Sequence, residues 1–260
     1  MKKTALITGA SDGIGMELAR IHAAKGDNLV IVARSENKLQ QLKSDLEKQH
    51  GIKVHVIARD LSEPNAAQMV FDETSQLSIE VDYLINNAGF GDYGFFAESD
   101  WEKEQRMIQL NITALTQFTK VYLKDMLKRG RGRIMNVAST GAFQPAPTMG
   151  VYCATKAYVL SFSEAVNNEV SDKGVTITAL CPGATATGFE AAASMEESKL
   201  FKGAQVATAK AVAEYGYKAM MDGKAVAVHG VMNYIMVNSS RFVPRNLVVK
   251  IARWVLNKAH

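Results

Sequence analysis

Cysteine is scarce: Cys153 and Cys181 are the only two among 260 residues. Two thiols cannot supply a disulfide framework or a cysteine-rich metal site, and two free, buried thiols in a reducing compartment are the expectation. Histidine offers no more. His22, His50, His55, His229 and His260 are scattered without the spacing of a ligand set, so no metal is expected. No apolar run reaches the roughly 18 residues of a membrane-spanning helix. After Met1-Lys2-Lys3 the stretch TALITGASDG lacks the apolar core of a secretory signal, which leaves a cytoplasmic location as the default. A dominant charge is also missing. The 30 basic residues face 26 acidic ones, and a net +4 is too small to argue for a nucleic-acid partner.

What is present suits one folded domain with a sizeable core, 47% hydrophobic and 22% charged. Short, nearly continuous apolar runs at 4–8, 28–33, 53–58, 81–86, 133–138, 175–180 and 225–228 predict strands buried on both faces. Amphipathic stretches near 13–26, 36–50, 63–77, 99–129, 152–173 and 207–222 predict helices between them. Such alternation predicts an α/β fold, a doubly wound parallel seven-stranded sheet flanked by helices, in a single domain over residues 1–260. Residues 188–206 and 230–260 break the alternation.

The first strand runs directly into TGASDGIG (8–15), where Gly9, Gly13 and Gly15 open a helix. Glycines there let the backbone approach a pyrophosphate at a helix N-terminus, whose free N–H groups and dipole favour an anion. Sites for NAD place an acid near the end of the second strand to hold the ribose hydroxyls. Here Ala33, Arg34 and Ser35 occupy that place. A carboxylate repels a 2′-phosphate whereas a guanidinium pairs with it, so NADP(H) is expected over NAD(H), with Arg34 as its partner.

These two features, with NNAG at 86–89, Ser139, YCATK at 152–156 and PGATAT at 182–187, resemble the short-chain dehydrogenase/reductase family over roughly residues 3–228. The resemblance implies a Rossmann-type fold. It implies that Gly9, Ser11, Asp12, Gly13, Ile14 and Gly15 surround the pyrophosphate and adenosine ribose, and that Asp60 and Leu61 receive the adenine. Asn87, with Ala88 and Gly89, would brace strand and cofactor. Pro182 and Gly183 would turn the chain so that Thr185 and Thr187 hold the nicotinamide carboxamide. Thr185 stands where most relatives carry an aliphatic residue, a departure that a backbone contact tolerates.

Carbonyl reduction needs hydride at carbon and a proton at oxygen. Tyrosine keeps its proton at neutral pH, and a nearby ammonium draws its pKa down. Tyr152 and Lys156, at i and i+4, share a helix face; Tyr158, two residues past Lys156, faces elsewhere and reads as packing. Ser139, thirteen residues before Tyr152, would hydrogen-bond the substrate carbonyl. The resemblance further implies that Lys156 bonds the nicotinamide ribose and that Asn111, in QLNITAL, holds a water in a proton relay. A non-catalytic dinucleotide sensor on the same fold is the rival reading, and the filled tyrosine and lysine positions weigh against it.

Aromatic and proline residues crowd the motifs. Phe90, Tyr93, Phe95 and Phe96 follow NNAG, and Phe143, Pro145 and Pro147 follow Ser139. Phe189, Met195, Leu200 and Phe201 lie in 188–206, where relatives carry a lid. An apolar pocket for a ketone, an aldehyde or a 3-oxoacyl chain is expected. KDMLKRGRGR (124–133) reads as a solvated helix end rather than a docking patch for an acyl carrier. The tail at 239–260 carries Leu247, Val248, Ile251, Val255 and Leu256 at helical spacing, interleaved with Arg245, Lys250, Arg253 and Lys258. Such a basic amphipathic helix can lie on a membrane surface or pack on its own domain or a partner subunit, and packing is preferred. The stretches 99–129 and 152–173 resemble helices that relatives pair across a dimer, so a homodimer or homotetramer is expected.

Overall fold

The computed structural model describes residues 2–187 and 206–256. Its strands are β1 (Thr4–Thr8), β2 (Asn28–Ala33), β3 (Val54–Ala58), β4 (Tyr83–Asn86), β5 (Gly132–Val137), β6 (Val175–Cys181), β7 (Thr185–Ala186), β8 (Ala207–Thr208) and β9 (Val226–Val228). Seven of them form one sheet in the order β3-β2-β1-β4-β5-β6-β9, each neighbouring pair parallel. β7 and β8 make a separate short ladder, too brief for a hydropathy pattern to reveal.

Parallel strands need cover on both faces, and the apolar runs supply two cores. Along β1, Ala5 and Ile7 point into one core and Leu6 into the other, as strand periodicity requires. The helices are α1 (Gly13–Ala23), α2 (Glu36–His50), α3 (Ala66–Gln76), α4 (Trp101–Ile108), α5 (Leu115–Arg129), α6 (Gly150–Val170) and α7 (Ala209–Met221). Leu18, Leu39, Leu46, Val212 and Met220 bring α1, α2 and α7 onto the first face. Val70, Phe118, Tyr122, Met126 and Val170 bring α3, α5 and α6 onto the second.

Two helices differ from expectation in ways that matter. The stretch 99–129 is not one helix: a π-helical segment, Gln109–Ala114, separates α4 from α5. Widening of the ladder leaves no hydropathy signature, so the sequence reads through it. And α6 starts at Gly150, two residues before the expected 152, which places Tyr152 in its first turn.

The three arginines of 124–133 are tied into their own domain, while Lys124 and Lys128 stay on the exposed side of α5. Arg129 donates to the Val81 carbonyl at 2.7 Å, Arg131 pairs with Glu80 and Asp82, and Arg133 donates to the Met220 carbonyl at 3.1 Å. The expected lid at 188–206 lies, but for Val206, outside the described residues. Beyond β9 the chain forms α8 (Val231–Ser239), a 3₁₀ turn at Ser240–Phe242 and, after Pro244, α9 (Arg245–Leu256). One side of α9 docks on the domain: Leu256 packs in a cluster with Met107, Ala146, Met149, Tyr152 and Cys153. The Tyr93 hydroxyl ties it down by donating to the Leu256 carbonyl at 2.8 Å. Of the expected fates of the tail, packing on its own domain is thus realised by this side.

Candidate active site

Strand order reverses between β1 and β4, which opens a crevice beyond their carboxyl ends. A cavity of about 700 Å³ fills it, within the range of small-molecule sites. Gly9 leaves β1 at φ +66, and a Cβ there would fall 2.8 Å from Asn87 Nδ2 and 2.9 Å from the Ala88 Cα. On Gly15 a Cβ would fall 2.2 Å from the Gly9 carbonyl oxygen. Both positions exclude any side chain, and the loop lies flat with Gly9, Ser11, Asp12, Gly13 and Ile14 lining the cavity. Asn87 donates to the Thr8 and Gly9 carbonyls at 3.0 and 3.1 Å, bracing β1 against the end of β4. The Asp12 carboxylate pairs with Lys38 at 3.0 Å and caps α1 through the Gly13 N–H at 2.8 Å, which together hold it below the usual carboxylate range.

At this end Arg34 lines the cavity with Lys38 and Arg59. Sequence reasoning named only Arg34; the i+4 spacing from Arg34 was the available signal for Lys38. Asp60 and Leu61 line the same end. Burial pushes the Asp60 carboxyl up, but donation from the Ser62 N–H (2.9 Å) and hydroxyl (2.6 Å), with Arg34 and Arg106 nearby, brings it net below its ordinary value.

At the opposite end four side chains meet. Ser139 accepts the Gly141 N–H at 3.0 Å, so its own hydroxyl proton is left to donate elsewhere. Tyr152 is buried beside it. Burial raises its pKa, and a hydrogen bond with Ser139 opposes the rise only in part. Lys156, one turn on, donates to the Val137 carbonyl at 2.8 Å and stands 5.8 Å from the Tyr152 ring centre. Burial pushes that ammonium down to about 8. Desolvation leads the influences on Tyr152, while the Lys156 ammonium is engaged by the Val137 carbonyl.

The π-helical turn presents Asn111, fully buried, to the same place. Its amide donates to the Phe90 carbonyl and to Thr155, both at 3.0 Å, and its oxygen accepts the Phe90 N–H at 3.3 Å. A Cβ on Gly89 would stand 3.0 Å from Asn111 Oδ1 and 3.3 Å from Lys156 Nζ, so the glycine lets the two converge. Pro182, Gly183, Thr185 and Thr187 close the cavity, with Thr187 within 3.0 Å of where a Gly13 Cβ would lie. Tyr158 is partly exposed, bonded to Thr116 at 3.0 Å and stacked on Phe162, the packing role expected of it. Burial pushes Cys153 and Cys181 up to about 12, too high for thiolate chemistry at neutral pH. The glycine cradle and cleared floor fit a nicotinamide dinucleotide.

The family model described as short chain dehydrogenase matches residues 3–198. The chain belongs to the short-chain dehydrogenase family. It is 35% identical over 190 residues to 17-beta-hydroxysteroid dehydrogenase type 3 of Rattus norvegicus, covering 72% of this chain and 61% of that protein. It is 32% identical over 190 residues to a very-long-chain 3-oxoacyl-CoA reductase of Anas platyrhynchos, covering 70% and 60%. The match thus spans about three fifths of the length of these curated relatives. A short-chain dehydrogenase from Sphingobium yanoikuyae, solved in complex with NADPH, superimposes with a TM-score of 0.83 at 30% identity, covering 92% of this chain and 94% of that one.

The apolar half of this dehydrogenase's cavity is not built as expected. Of the predicted aromatics only Phe90 lines it among the described residues. Phe95 and Phe96 are exposed, and Phe143 packs beneath the site against a third cluster. Met236, Val243, Val248, Ile251, Val255 and Leu256 of the C-terminal segment form the wall instead, facing Ala146 and Met149. The helical spacing of the tail was the signal for this wall; which surface it covers was not encoded locally.

Proposed function

We propose that this short-chain dehydrogenase interconverts a carbonyl and an alcohol on an apolar substrate, using NADP(H). The dinucleotide, when bound, supplies or accepts the hydride at the substrate carbon. Everything else belongs to this chain. Arg34, Lys38 and Arg59 would hold the 2′-phosphate, and the loop at 9–15 would hold the pyrophosphate near its backbone N–H groups. Ser139 donates its hydroxyl proton to the substrate oxygen and holds the developing negative charge. Tyr152, kept protonated by burial, gives its proton to that oxygen. Lys156 in its ammonium form stabilises the phenolate that results and bonds the ribose. Asn111 supports Lys156 and links it to a route for reprotonation.

The observation carrying this reading is the convergence of Ser139, Tyr152 and Lys156 at one end of a cavity, with Asn111 buried behind Gly89, while the other end holds three cations. The relatives named for hydroxysteroid and 3-oxoacyl-CoA substrates agree with an apolar wall, and they support a ring-bearing or long-chain ketone. The test is NADPH oxidation against carbonyls graded by chain length and ring content. Tyr152→Phe is expected to lower turnover by roughly 100- to 10,000-fold with NADPH affinity little changed. Retained turnover in that variant would remove tyrosine as the proton donor.

A further inference from the structure

The net positive charge of the molecule sits at one place in the sequence. Residues 223–260 hold six of the 30 basic residues and none of the 26 acidic ones, leaving 24 basic against 26 acidic elsewhere. Among the described residues the same segment carries the largest run of exposed apolar side chains. α8 contains no charged residue, yet Val231 (78%), Met232 (76%), Tyr234 and Ile235 face solvent. Phe242 in the following turn is 88% exposed. On α9, Leu247, Ile251 and Trp254 stand exposed at i, i+4 and i+7, one stripe on the side turned away from Ala252 and Leu256. Exposed Arg241, Arg245, Lys250 and Arg253 lie among them.

Exposed apolar side chains gathered on two helices that wall the same cavity mark an interaction site. Its charge selects the occupant. A twofold contact between two copies through this face would oppose one all-basic segment with another, whereas an anionic bilayer offers both phosphate charge and an apolar layer. Tyr and Trp favour the headgroup level, and Arg and Lys bury their stems while keeping their charge at the surface. Among the described residues no helix is long and apolar enough to cross a membrane, and helices of 9 and 12 residues are suited to lying in the interface.

We propose that the exposed face of α8 and α9 docks on an anionic lipid bilayer and opens the substrate cavity to it. Met236 and Ile251 belong to both surfaces, half exposed on the docking face and lining the cavity. An apolar carbonyl compound dissolved in the bilayer can pass between α8 and α9 without crossing water. This delivery role rests on the proposed reduction; the docking itself does not.

The test is co-sedimentation of the full chain with vesicles of phosphatidylcholine alone or with added phosphatidylserine. The protein is expected to bind the anionic vesicles, less so as salt is raised. Met232→Glu with Phe242→Glu alters two exposed side chains outside the cavity, and is expected to weaken that binding at least about tenfold. NADPH affinity and turnover of a water-soluble carbonyl should be unchanged in this variant. Wild-type protein left in the supernatant with both vesicles overturns the docking. So does a concentration-dependent dimer that the double variant dissolves while vesicles fail to bind, which would assign the face to a second copy. Vesicle binding without turnover of any carbonyl would uphold docking and overturn only the proposed reduction.

Discussion

Tyr152 and Lys156 show how burial sets the working state of each group. Tyr152 is held protonated, as a proton donor must be, while Lys156 is held near 8 against an ordinary 10.5. The fold therefore opposes the Lys156 charge at neutral pH. Lys156→Met removes that penalty and is expected to gain on the order of 1–3 kcal/mol of stability at pH 7 while turnover collapses. Because the folded pKa is depressed, the gain is complete below about pH 8 and fades as the pH rises toward 10.5, where the unfolded lysine also loses its proton. Urea midpoints at neutral and alkaline pH check this, and a variant less stable than wild type at pH 7 contradicts it. At the other end of the cavity, Arg34→Ala is expected to weaken NADPH about tenfold or more and NADH little. Binding titrations with both dinucleotides decide, and equal losses would refute a 2′-phosphate contact.

The elements differ in how openly the sequence announces them. The seven strands of the main sheet were legible almost to the residue, because each is a short apolar run that both helical layers must cover. The π-helical turn at Gln109–Ala114 was not, since one extra residue per turn changes hydrogen bonding and leaves hydropathy intact. That turn places Asn111 against Phe90 and Thr155. Deleting the exposed Thr113 is expected to restore a regular ladder, leave α4 and α5 in phase, and pull Asn111 from its partners. Circular dichroism should then be nearly native while turnover falls at least about tenfold. Unchanged turnover would mean that the wide turn has no part in the reaction.

At the scale of the molecule, the chain closes its cavity with its own far end. The Tyr93 hydroxyl reaches the Leu256 carbonyl across 163 residues of sequence, and α9 supplies apolar wall next to Tyr152. Tyr93→Phe is expected to cost about 1 kcal/mol of stability and to raise KM for apolar carbonyls severalfold, with NADPH affinity unaffected. Steady-state kinetics on long- and short-chain substrates check it; equal KM values in variant and wild type would show that the tether does not shape the pocket. The docking face arises at this scale as well, since only the docked side of α9 leaves the other side, with its cations, turned outward.

By itself the sequence determined the α/β alternation, the glycine loop, the Ala33-Arg34-Ser35 stretch without an acid at the end of β2, and the spacing of Ser139, Tyr152 and Lys156. These are local patterns, set by backbone sterics, strand burial and helical period. Only the tertiary structure decided which groups lose water. It made burial rather than the i+4 lysine the stronger influence on Tyr152, brought Lys38 and Arg59 beside Arg34, and put the C-terminal helix rather than the predicted aromatics against the cavity. Desolvation and the meeting of distant segments depend on every layer packed around a group, and no window of sequence contains that sum.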